Sequence, residues 1–209
     1  MRNIFHPTKF IYSYVADHIK KYQHMAKGYL VDVGCGKKPF KDLFKNTQGY
    51  IGIDITAESK ADLVCDVLDI KLKFPVADSV LCTQVIEHVE RPEKLIEEIF
   101  RISKPGAICI LTAPFLARIH GAPYDYFRFT KFGLEYIFKK KGFKIIVLEE
   151  IGGLWLSLVY LMSFYLKEKI KWFSFLFTPI ISFLYLLVQK FDDDKNHPCL
   201  YLLVAKKEE

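Results

Sequence analysis

Short runs of β-branched and aromatic residues alternate with helical patterns along most of this 209-residue chain. The runs lie at residues 29–33, 50–55, 79–82, 107–112, 144–148 and 200–205. Apolar residues with helical spacing lie at 92–102 and 130–141, and residues 1–28 carry an amphipathic helical pattern. Because strands that alternate with helices form parallel sheets, we predict an α/β fold with a mostly parallel sheet covered on both faces.

A glycine-containing turn follows the first predicted strand. The sequence LVDVGCGKKPF places Gly34 and Gly36 directly after an apolar strand. Glycine fits a tight turn at which the backbone approaches a ligand closely. The second predicted strand ends near Asp54, at the position where a carboxylate can accept two ribose hydroxyls. A turn or helix-capping role explains Asp54 equally well, so both interpretations stay open.

Two common nucleotide-binding loops do not fit this turn. The third glycine of GxGxxG is replaced by Pro39, and no GK[ST] follows. The turn is therefore neither a dinucleotide-binding loop nor a phosphate-binding P-loop.

The turn instead resembles motif I of the class I S-adenosylmethionine-dependent methyltransferases, since Asp32 lies two residues before Gly34. Lys38 stands where that family has the third glycine of its GxGxG. Three further segments resemble the family in the same order, the last of them being typical of the type-11 subgroup. They are ADLVCDVLDI (61–70), LCTQVIEHVERPEKLIEEIFRISKPGAICILTAPF (81–115) and PYDYFRFTKFGLEYIFKKKGFK (123–144).

The resemblance implies a Rossmann-like doubly wound sheet with an antiparallel last strand, and S-adenosylmethionine as the cofactor. It implies that Asp32 positions the methionine end, that the glycine turn lies against the cofactor, and that Asp66 lies near the adenine. The cofactor-binding residues expected on these grounds are Asp32, Gly34, Cys35, Gly36, Asp54, Ile55, Asp66, Val67, Thr83 and Gln84.

The catalytic candidates lie in the loop that follows the fifth predicted strand, residues 116–130, because ligands of open α/β sheets bind at the carboxyl ends of the strands. His120 titrates near neutrality and is a candidate base or hydrogen-bond donor. Asp125 either orients His120 or is itself the base, and Tyr124 and Arg128 are the substrate-binding candidates. The alternatives are that His120 only caps the loop, and that Asp125 and Arg128 form a structural i, i+3 pair.

Glu87 and His88 are expected to open the helix after the fourth strand and to serve packing rather than catalysis. The five scattered cysteines predict a reducing compartment and neither a disulfide framework nor a zinc site, so no metal is expected.

One segment departs from the alternation, at residues 151–194. Residues 151–166 and 172–188 carry no charge, and KEKIK lies between them. Together with the net charge of +6 and a mean hydropathy of +0.13, the segment predicts an apolar helical hairpin inserted before the last strand. It either spans a bilayer twice, or forms a lid that dips into one leaflet, or packs on the domain or on a second subunit.

Spanning is the least favoured of these three interpretations. The lysines between the two runs would lie outside, against the positive-inside tendency, and Pro179 interrupts the second run. The polar residues of that run, moreover, share one helical face: Ser174, Thr178, Ser182 and Tyr185.

These observations predict a single methyltransferase domain over residues 1–209, with an N-terminal helix (1–28), a sheet core (29–150 and 197–206) and the insertion (151–194). The expected acceptor is a small or lipid-like molecule, methylated at a hydroxyl or carbon by in-line transfer. The alternatives are a cytosolic small-metabolite methyltransferase whose hairpin is a lid or homodimer contact, and a non-catalytic module that kept the fold. The location expected is the cytoplasm, with peripheral contact to the inner membrane face through residues 151–188. Nucleic acid is not an expected partner, because the lysines are distributed at 139–141, 167–171 and 206–207.

Overall fold

The computed structural model describes residues 6–170 and 174–208, and within them seven strands form one mixed sheet. Their order across the sheet is β3-β2-β1-β4-β5-β7-β6. The strands are β1 (Tyr29–Val33), β2 (Gly49–Asp54), β3 (Leu63–Val64), β4 (Ala77–Thr83), β5 (Ser103–Pro114), β6 (Phe143–Ile151) and β7 (Leu200–Lys207). The six predicted strands are confirmed with small differences at their ends, and β3 is an addition.

The strand directions confirm the predicted Rossmann-like α/β sheet. Strand β1 pairs in parallel with β2 and with β4, and β4 pairs in parallel with β5. Strand β7 is antiparallel to both of its neighbours, β5 and β6. The carboxyl ends of β1, β2, β4 and β5 therefore meet at one edge of the sheet, where ligands bind in open α/β folds.

Helices cover both faces of the sheet. They are α1 (Pro7–Tyr22), α2 (Pro92–Ile102), α3 (Lys131–Lys140), α4 (Leu154–Lys169) and α5 (Ser174–Val188). The core under α2 and α3 contains Val31, Val33 and Ile99. The core on the opposite face contains Leu30 together with Phe10 of α1 and Leu156 of α4. This alternation along β1 follows from the two-residue period of a strand.

The segment after β4 differs from the sequence expectation. Residues Ile86–His88 form a separate 3₁₀ turn, and α2 begins only at Pro92. Proline fits the first turn of a helix, where its missing N–H is not needed. The carbonyl of Glu87 instead accepts hydrogen bonds from the amides of Tyr126 and Phe127, at 2.8 and 3.3 Å. The expectation that Glu87 and His88 open this helix is therefore wrong.

Helices α4 and α5 occupy the segment between β6 and β7, and they contact each other. The shared polar face of α5 is directed inward, because Thr178, Ser182 and Tyr185 are all buried. The start of the second predicted run, Trp172 and Phe173, and the side chain of Ser174 lie outside the described residues. None of the described helices has the length and apolar character needed to cross a membrane.

Asp192 ties the end of this segment to its beginning. Its carboxylate accepts hydrogen bonds from the backbone amides of Gly153, Trp155 and Leu156 at the start of α4, each at 3.0 Å. A carboxylate at a helix N-terminus satisfies amides that have no partner within the helix. The hydroxyl of Tyr185 donates to the same carboxylate, so α4 and α5 are held together at this end.

Candidate active site

The glycine turn after β1 is held by backbone hydrogen bonds. The amides of Gly34 and Cys35 both donate to the carbonyl of Ile53, and the amide of Gly36 donates to the carboxylate of Asp54 at 2.8 Å. Gly34 has φ +73°, and a Cβ there would lie 2.3 Å from Val85 Cγ2. Gly36 has φ +49°, and a Cβ there would meet nothing within 4 Å. Gly34 is thus required for packing, whereas Gly36 leaves open space above the turn.

Lys38, at the position of the expected third glycine, adopts a backbone conformation that favours glycine. Its φ of +57° is in the left-handed region, which costs a non-glycine residue about 1–2 kcal/mol. Its ammonium forms a 2.7 Å ion pair with Asp62, whose carboxylate also accepts from the amide of Gly52. The ion pair therefore holds the strained residue in place.

Asp32 is a buried carboxylate directly below the turn, with 2% of its surface exposed. One of its oxygens accepts a hydrogen bond from the hydroxyl of Tyr50. The other has no hydrogen-bond partner within the described residues. Burial raises the pKa of Asp32 from 3.8 to about 7. A buried oxygen without a partner is well placed to accept from a ligand donor.

A cavity of about 520 Å³, here called cavity A, opens beside the turn at the carboxyl ends of β1, β2 and β4. Its volume lies in the range of ordinary small-molecule sites. Six of the predicted cofactor-binding residues line it: Gly34, Asp54, Ile55, Asp66, Val67 and Gln84.

The other predicted cofactor-binding residues lie beside or below cavity A. Cys35, Gly36 and Thr83 line a neighbouring cleft that runs under α1 and shares Gly34 and Gln84 with cavity A. Asp32 lines neither space. The Cys35 thiol is buried and its pKa is raised to about 12, mainly by burial, so it is not a nucleophile at neutral pH.

A second cavity of about 210 Å³, here called cavity B, lies on the other side of Gln84 and His88, which line both cavities. Gln84 has φ +54°, a strained conformation of the kind found at functional sites. Helix α1 contributes Ile11 and Tyr12 to cavity B, and α4 contributes Tyr160 and Phe164. Arg118 and His120 of the 116–130 loop complete it. No sequence feature indicated that α1 takes part.

Of the four predicted residues of the 116–130 loop, His120 and Tyr124 each line a cavity, whereas Asp125 and Arg128 line neither cavity A nor cavity B. His120 lines cavity B. Tyr124 lines cavity A and is 62% exposed. Arg128 lines neither cavity and donates to both carboxylate oxygens of Asp125, at 2.5 and 2.8 Å. Asp125 also accepts from the backbone amide of His120 at 2.8 Å. The i, i+3 ion pair considered above is therefore present.

Asp125 is ionised over the whole physiological range. Its hydrogen bonds with the Arg128 guanidinium lower its pKa to about 2, and only 2% of its side chain is exposed. A carboxylate with so low a pKa is a weak base. The geometry favours a positioning role for Asp125, in which it holds the loop that carries His120.

His120 meets Glu87 and His88 where the two cavities join. Its Nε2 lies 3.1 Å from Nε2 of His88 and 3.5 Å from Oε1 of Glu87. Glu87 is fully buried, and neither of its carboxylate oxygens makes a hydrogen bond within the described residues. The Glu87 carboxylate raises the pKa of His120. Only VIEHV in the sequence pointed to Glu87 and His88, and spacing alone does not show that a loop 32 residues away joins them.

Comparison with known proteins identifies the class that this fold and site define. Residues 31–111 match the family described as a methyltransferase domain. No curated protein matches the chain. The match runs from β1 into β5 and includes the glycine turn, so this part of the chain is similar to a methyltransferase domain.

Solved structures of low sequence identity share the fold. Phosphoethanolamine N-methyltransferase 2 of Haemonchus contortus, in complex with S-adenosyl-L-methionine, has a TM-score of 0.63 at 18% identity, over 95% of this chain and 53% of that one. This chain thus spans about half of that enzyme. An S-adenosylmethionine-dependent methyltransferase of Archaeoglobus fulgidus has a TM-score of 0.63 at 18% identity, over 93% of this chain and 94% of that one. A complex between the Trm112 methyltransferase activator of Haloferax volcanii and a methyltransferase has a TM-score of 0.65 at 18% identity, over 94% of this chain and 90% of that one.

Proposed function

We propose that this chain transfers the methyl group of S-adenosylmethionine to a small or lipid-like acceptor held in cavity B. The observation that carries the proposal is that cavities A and B meet at Gln84 and His88. In-line methyl transfer requires a cofactor site and an acceptor site that share one opening, with water excluded from it. Two cavities that share Gln84 and His88 in their walls support that arrangement.

The residues around cavity A fit the cofactor. Asp54 accepts from the amides of Gly36 and Thr56, as a turn residue does, and its carboxylate also borders cavity A, where it is proposed to meet the ribose hydroxyls. Asp66 and Val67 line the part of the cavity proposed for the adenine. The oxygen of Asp32 that lacks a partner suits the ammonium of the methionine end. Gly36 lines the neighbouring cleft and leaves space there that a side chain would fill, so the proposed cofactor site extends from cavity A into this cleft. The cofactor supplies an electrophilic methyl group on a good leaving group, so the chain itself needs no nucleophile.

His120 is the proposed catalytic residue for an acceptor hydroxyl. Its Nδ1–H donates to the carbonyl of Arg118 at 3.1 Å, so Nε2 of the neutral ring is the atom that can accept a proton from an acceptor in cavity B. A base within hydrogen-bond reach of the acceptor assists removal of its proton. Asp125 and Arg128 position the loop, and Tyr124 borders the opening of cavity A.

The lining of cavity B defines the class of acceptor. Its walls are largely aromatic and aliphatic, from Ile11, Tyr12, Tyr160 and Phe164, and Arg118 and two histidines also line it. We infer an acceptor with an apolar body and a hydroxyl or carbon as the reacting atom. The guanidinium carbon of Arg118 lies 4.2 Å from the centre of the Phe164 ring, and Arg118 pairs with Glu168 at 3.0 Å, so these contacts hold α4 against the loop beside the cavity.

The outward surface of α4 and α5, called the apolar face below, supports the lipid-like alternative. It exposes Trp155, Leu158, Met162, Tyr165, Phe177, Ile180, Phe183, Leu184 and Leu187. A contiguous exposed apolar surface of this kind marks an interaction site. Lys167 and Lys169 lie at the end of α4, next to this face. Apolar residues flanked by lysines suit the surface of an anionic membrane, and we propose that the face rests on one.

A transfer assay tests the proposed function. The full chain is incubated with S-adenosylmethionine labelled in its methyl group and with extracts separated into water-soluble and lipid fractions. We expect label in a small organic product, and at least a hundredfold less with H120A, because proton removal and acceptor contact are both lost. The substitution H197A, at an exposed histidine that lines neither cavity, is the matched control. Transfer by H120A at the rate of H197A contradicts the role of His120.

A further inference from the structure

The Glu87–His88–His120 cluster presents three metal-binding groups to one point. The three ligand atoms all lie within 4.8 Å of one another. Nε2 of His88 lies 3.7 Å from Oε1 of Glu87, and the other two separations are 3.1 and 3.5 Å. Donors bound tetrahedrally at about 2.0–2.1 Å lie about 3.3 Å apart, so the three observed separations match one shared ion.

The Nδ1 atoms of both histidine rings already make hydrogen bonds to backbone carbonyls. Nδ1 of His88 lies 2.5 Å from the carbonyl of Tyr124, and Nδ1 of His120 lies 3.1 Å from the carbonyl of Arg118. Since a carbonyl oxygen only accepts, each Nδ1 carries a proton, and Nε2 of the neutral ring is the atom available to a metal ion. Histidines that bind metals commonly donate their second ring N–H to a backbone carbonyl in this way.

The inner atoms of the cluster surround a buried carboxylate. The Nε2 atoms of His88 and His120 face each other at 3.1 Å beside the carboxylate of Glu87, which is fully buried. Both oxygens of that carboxylate are without hydrogen-bond partners in the described part of the chain. A buried charge without partners is destabilising, and a cation held between the three groups offsets that penalty.

The surrounding chain holds the cluster in this geometry. The backbone bonds from Tyr126 and Phe127 to the Glu87 carbonyl clamp the 116–130 loop over the 3₁₀ turn. Gly121, with φ +67°, lets the loop approach the His88 ring, since a Cβ there would lie 3.0 Å from Cε1 of His88. The histidine side chains are 26–27% exposed, so an ion can enter from the cavities.

We propose that Glu87, His88 and His120 bind one divalent first-row transition-metal ion where cavities A and B join. Two imidazoles and one carboxylate leave further coordination positions open, as in known sites of this composition. These positions face cavity B, where an acceptor hydroxyl completes the coordination. The ion lowers the pKa of that hydroxyl, and His120 is then a ligand rather than a free base. This last role rests on the proposed function, whereas the metal site itself does not.

Titration with Co²⁺ tests the site directly. The full chain, carrying no oligohistidine tag, is freed of metal with a chelator and titrated while the visible absorption of bound Co²⁺ is recorded. We expect one ion per chain in the wild type, and at least tenfold weaker binding in both H120A and E87Q. The control H197A removes an exposed histidine that pairs with Asp194, and it should bind Co²⁺ as the wild type does. Circular dichroism establishes whether each variant is folded. If E87Q is not folded, the comparison of H120A with H197A decides the test.

Two results overturn the metal site: no one-to-one Co²⁺ binding by the wild type, or H120A that binds as tightly as H197A. S-adenosylmethionine binding is measured separately on the metal-free protein. Cofactor binding without Co²⁺ binding refutes the metal site and leaves the proposed function intact. Co²⁺ binding without cofactor binding does the reverse.

Discussion

The guanidinium of Arg128 binds both carboxylate oxygens of Asp125, and the same carboxylate accepts from the backbone amide of His120. The second terminal nitrogen of Arg128 also donates to the carbonyl of Arg118 at 2.9 Å. One ion pair therefore fixes the backbone on both sides of Ile119, close to cavity B. Bidentate pairs of this kind combine strength with a defined geometry.

Replacing Asp125 by asparagine separates positioning from acid–base catalysis. We expect D125N to lower methyl-transfer activity about tenfold or more, because the loop loses its ion pair, while the shape of the pH–rate profile stays that of the wild type. A titrating base would instead remove one limb of that profile. The measurement is the rate from pH 5 to pH 9 for both proteins. Loss of a limb in D125N contradicts the positioning role.

Gly36 and Gly106 form a matched pair for testing the glycine turn. Both have positive φ, and in both cases an added Cβ meets no close neighbour. G36A and G106A should each lose about 1–2 kcal/mol of unfolding free energy through left-handed strain. Only G36A should also lose cofactor affinity, because its methyl group enters the space proposed for the ligand. Equal cofactor affinity in the two variants argues against a ligand above Gly36.

The raised pKa of Asp32 predicts that cofactor binding depends on pH. Its pKa of about 7 means that part of the protein holds a proton there at neutral pH. Pairing with an ammonium requires the ionised form, so affinity for S-adenosylmethionine should rise from pH 6 to pH 8 with release of a proton. The check is calorimetry at several pH values in buffers of different ionisation enthalpy. D32N should bind S-adenosylmethionine at least tenfold more weakly than the wild type at pH 8. Its affinity should rise less between pH 6 and pH 8, because the carboxyl group that loses the proton is absent.

The same shift has an opposite effect on folding. Between about pH 4 and pH 7 the folded chain keeps a proton on Asp32 that the unfolded chain has lost, because the folded pKa is above the ordinary value of 3.8. The free energy of unfolding contributed by this group therefore falls as pH rises through that window. D32N should lack this contribution. An identical pH dependence of stability in D32N and the wild type contradicts the raised pKa.

The apolar face predicts binding to anionic vesicles. We expect the full chain to sediment with vesicles that contain phosphatidylglycerol, and less with phosphatidylcholine alone or at high salt. The double substitution I180D/L184D should weaken binding at least tenfold, because two exposed apolar side chains of α5 become charged. F74D, at an exposed apolar residue outside the apolar face, is the control. Vesicle binding equal in I180D/L184D and F74D contradicts membrane contact, and a dimer in sedimentation analysis favours a second copy on this face.

Much of the sheet was predictable because its strands are encoded locally. Val31, Val33 and Ile53 are fully buried, and their β-branched side chains favour strands. Strand β3 has only two residues, Leu63 and Val64, which is too short for a pattern. The polar face of α5 was predictable because Thr178, Ser182 and Tyr185 follow helical spacing, and the structure buries all three.

The junction of the cavities was much less predictable. His120 and Asp125 were expected near the site because loops after parallel strands meet at one edge. Their contact with Glu87 and His88 depends on backbone bonds between distant segments, which no local pattern encodes. The position of α1 over cavity B follows from packing of Phe10 against the face of the sheet that carries Leu30, which is a contact between distant parts of the chain.

The proposed function is tested most directly by calorimetric titration of S-adenosylmethionine into the full chain at pH 8. Saturable binding of one cofactor per chain, weakened at least tenfold in G36A but unchanged in G106A, is the predicted result. An absence of heat and of any protection against thermal unfolding, in a protein shown to be folded, would contradict the assignment of cavity A as a cofactor site.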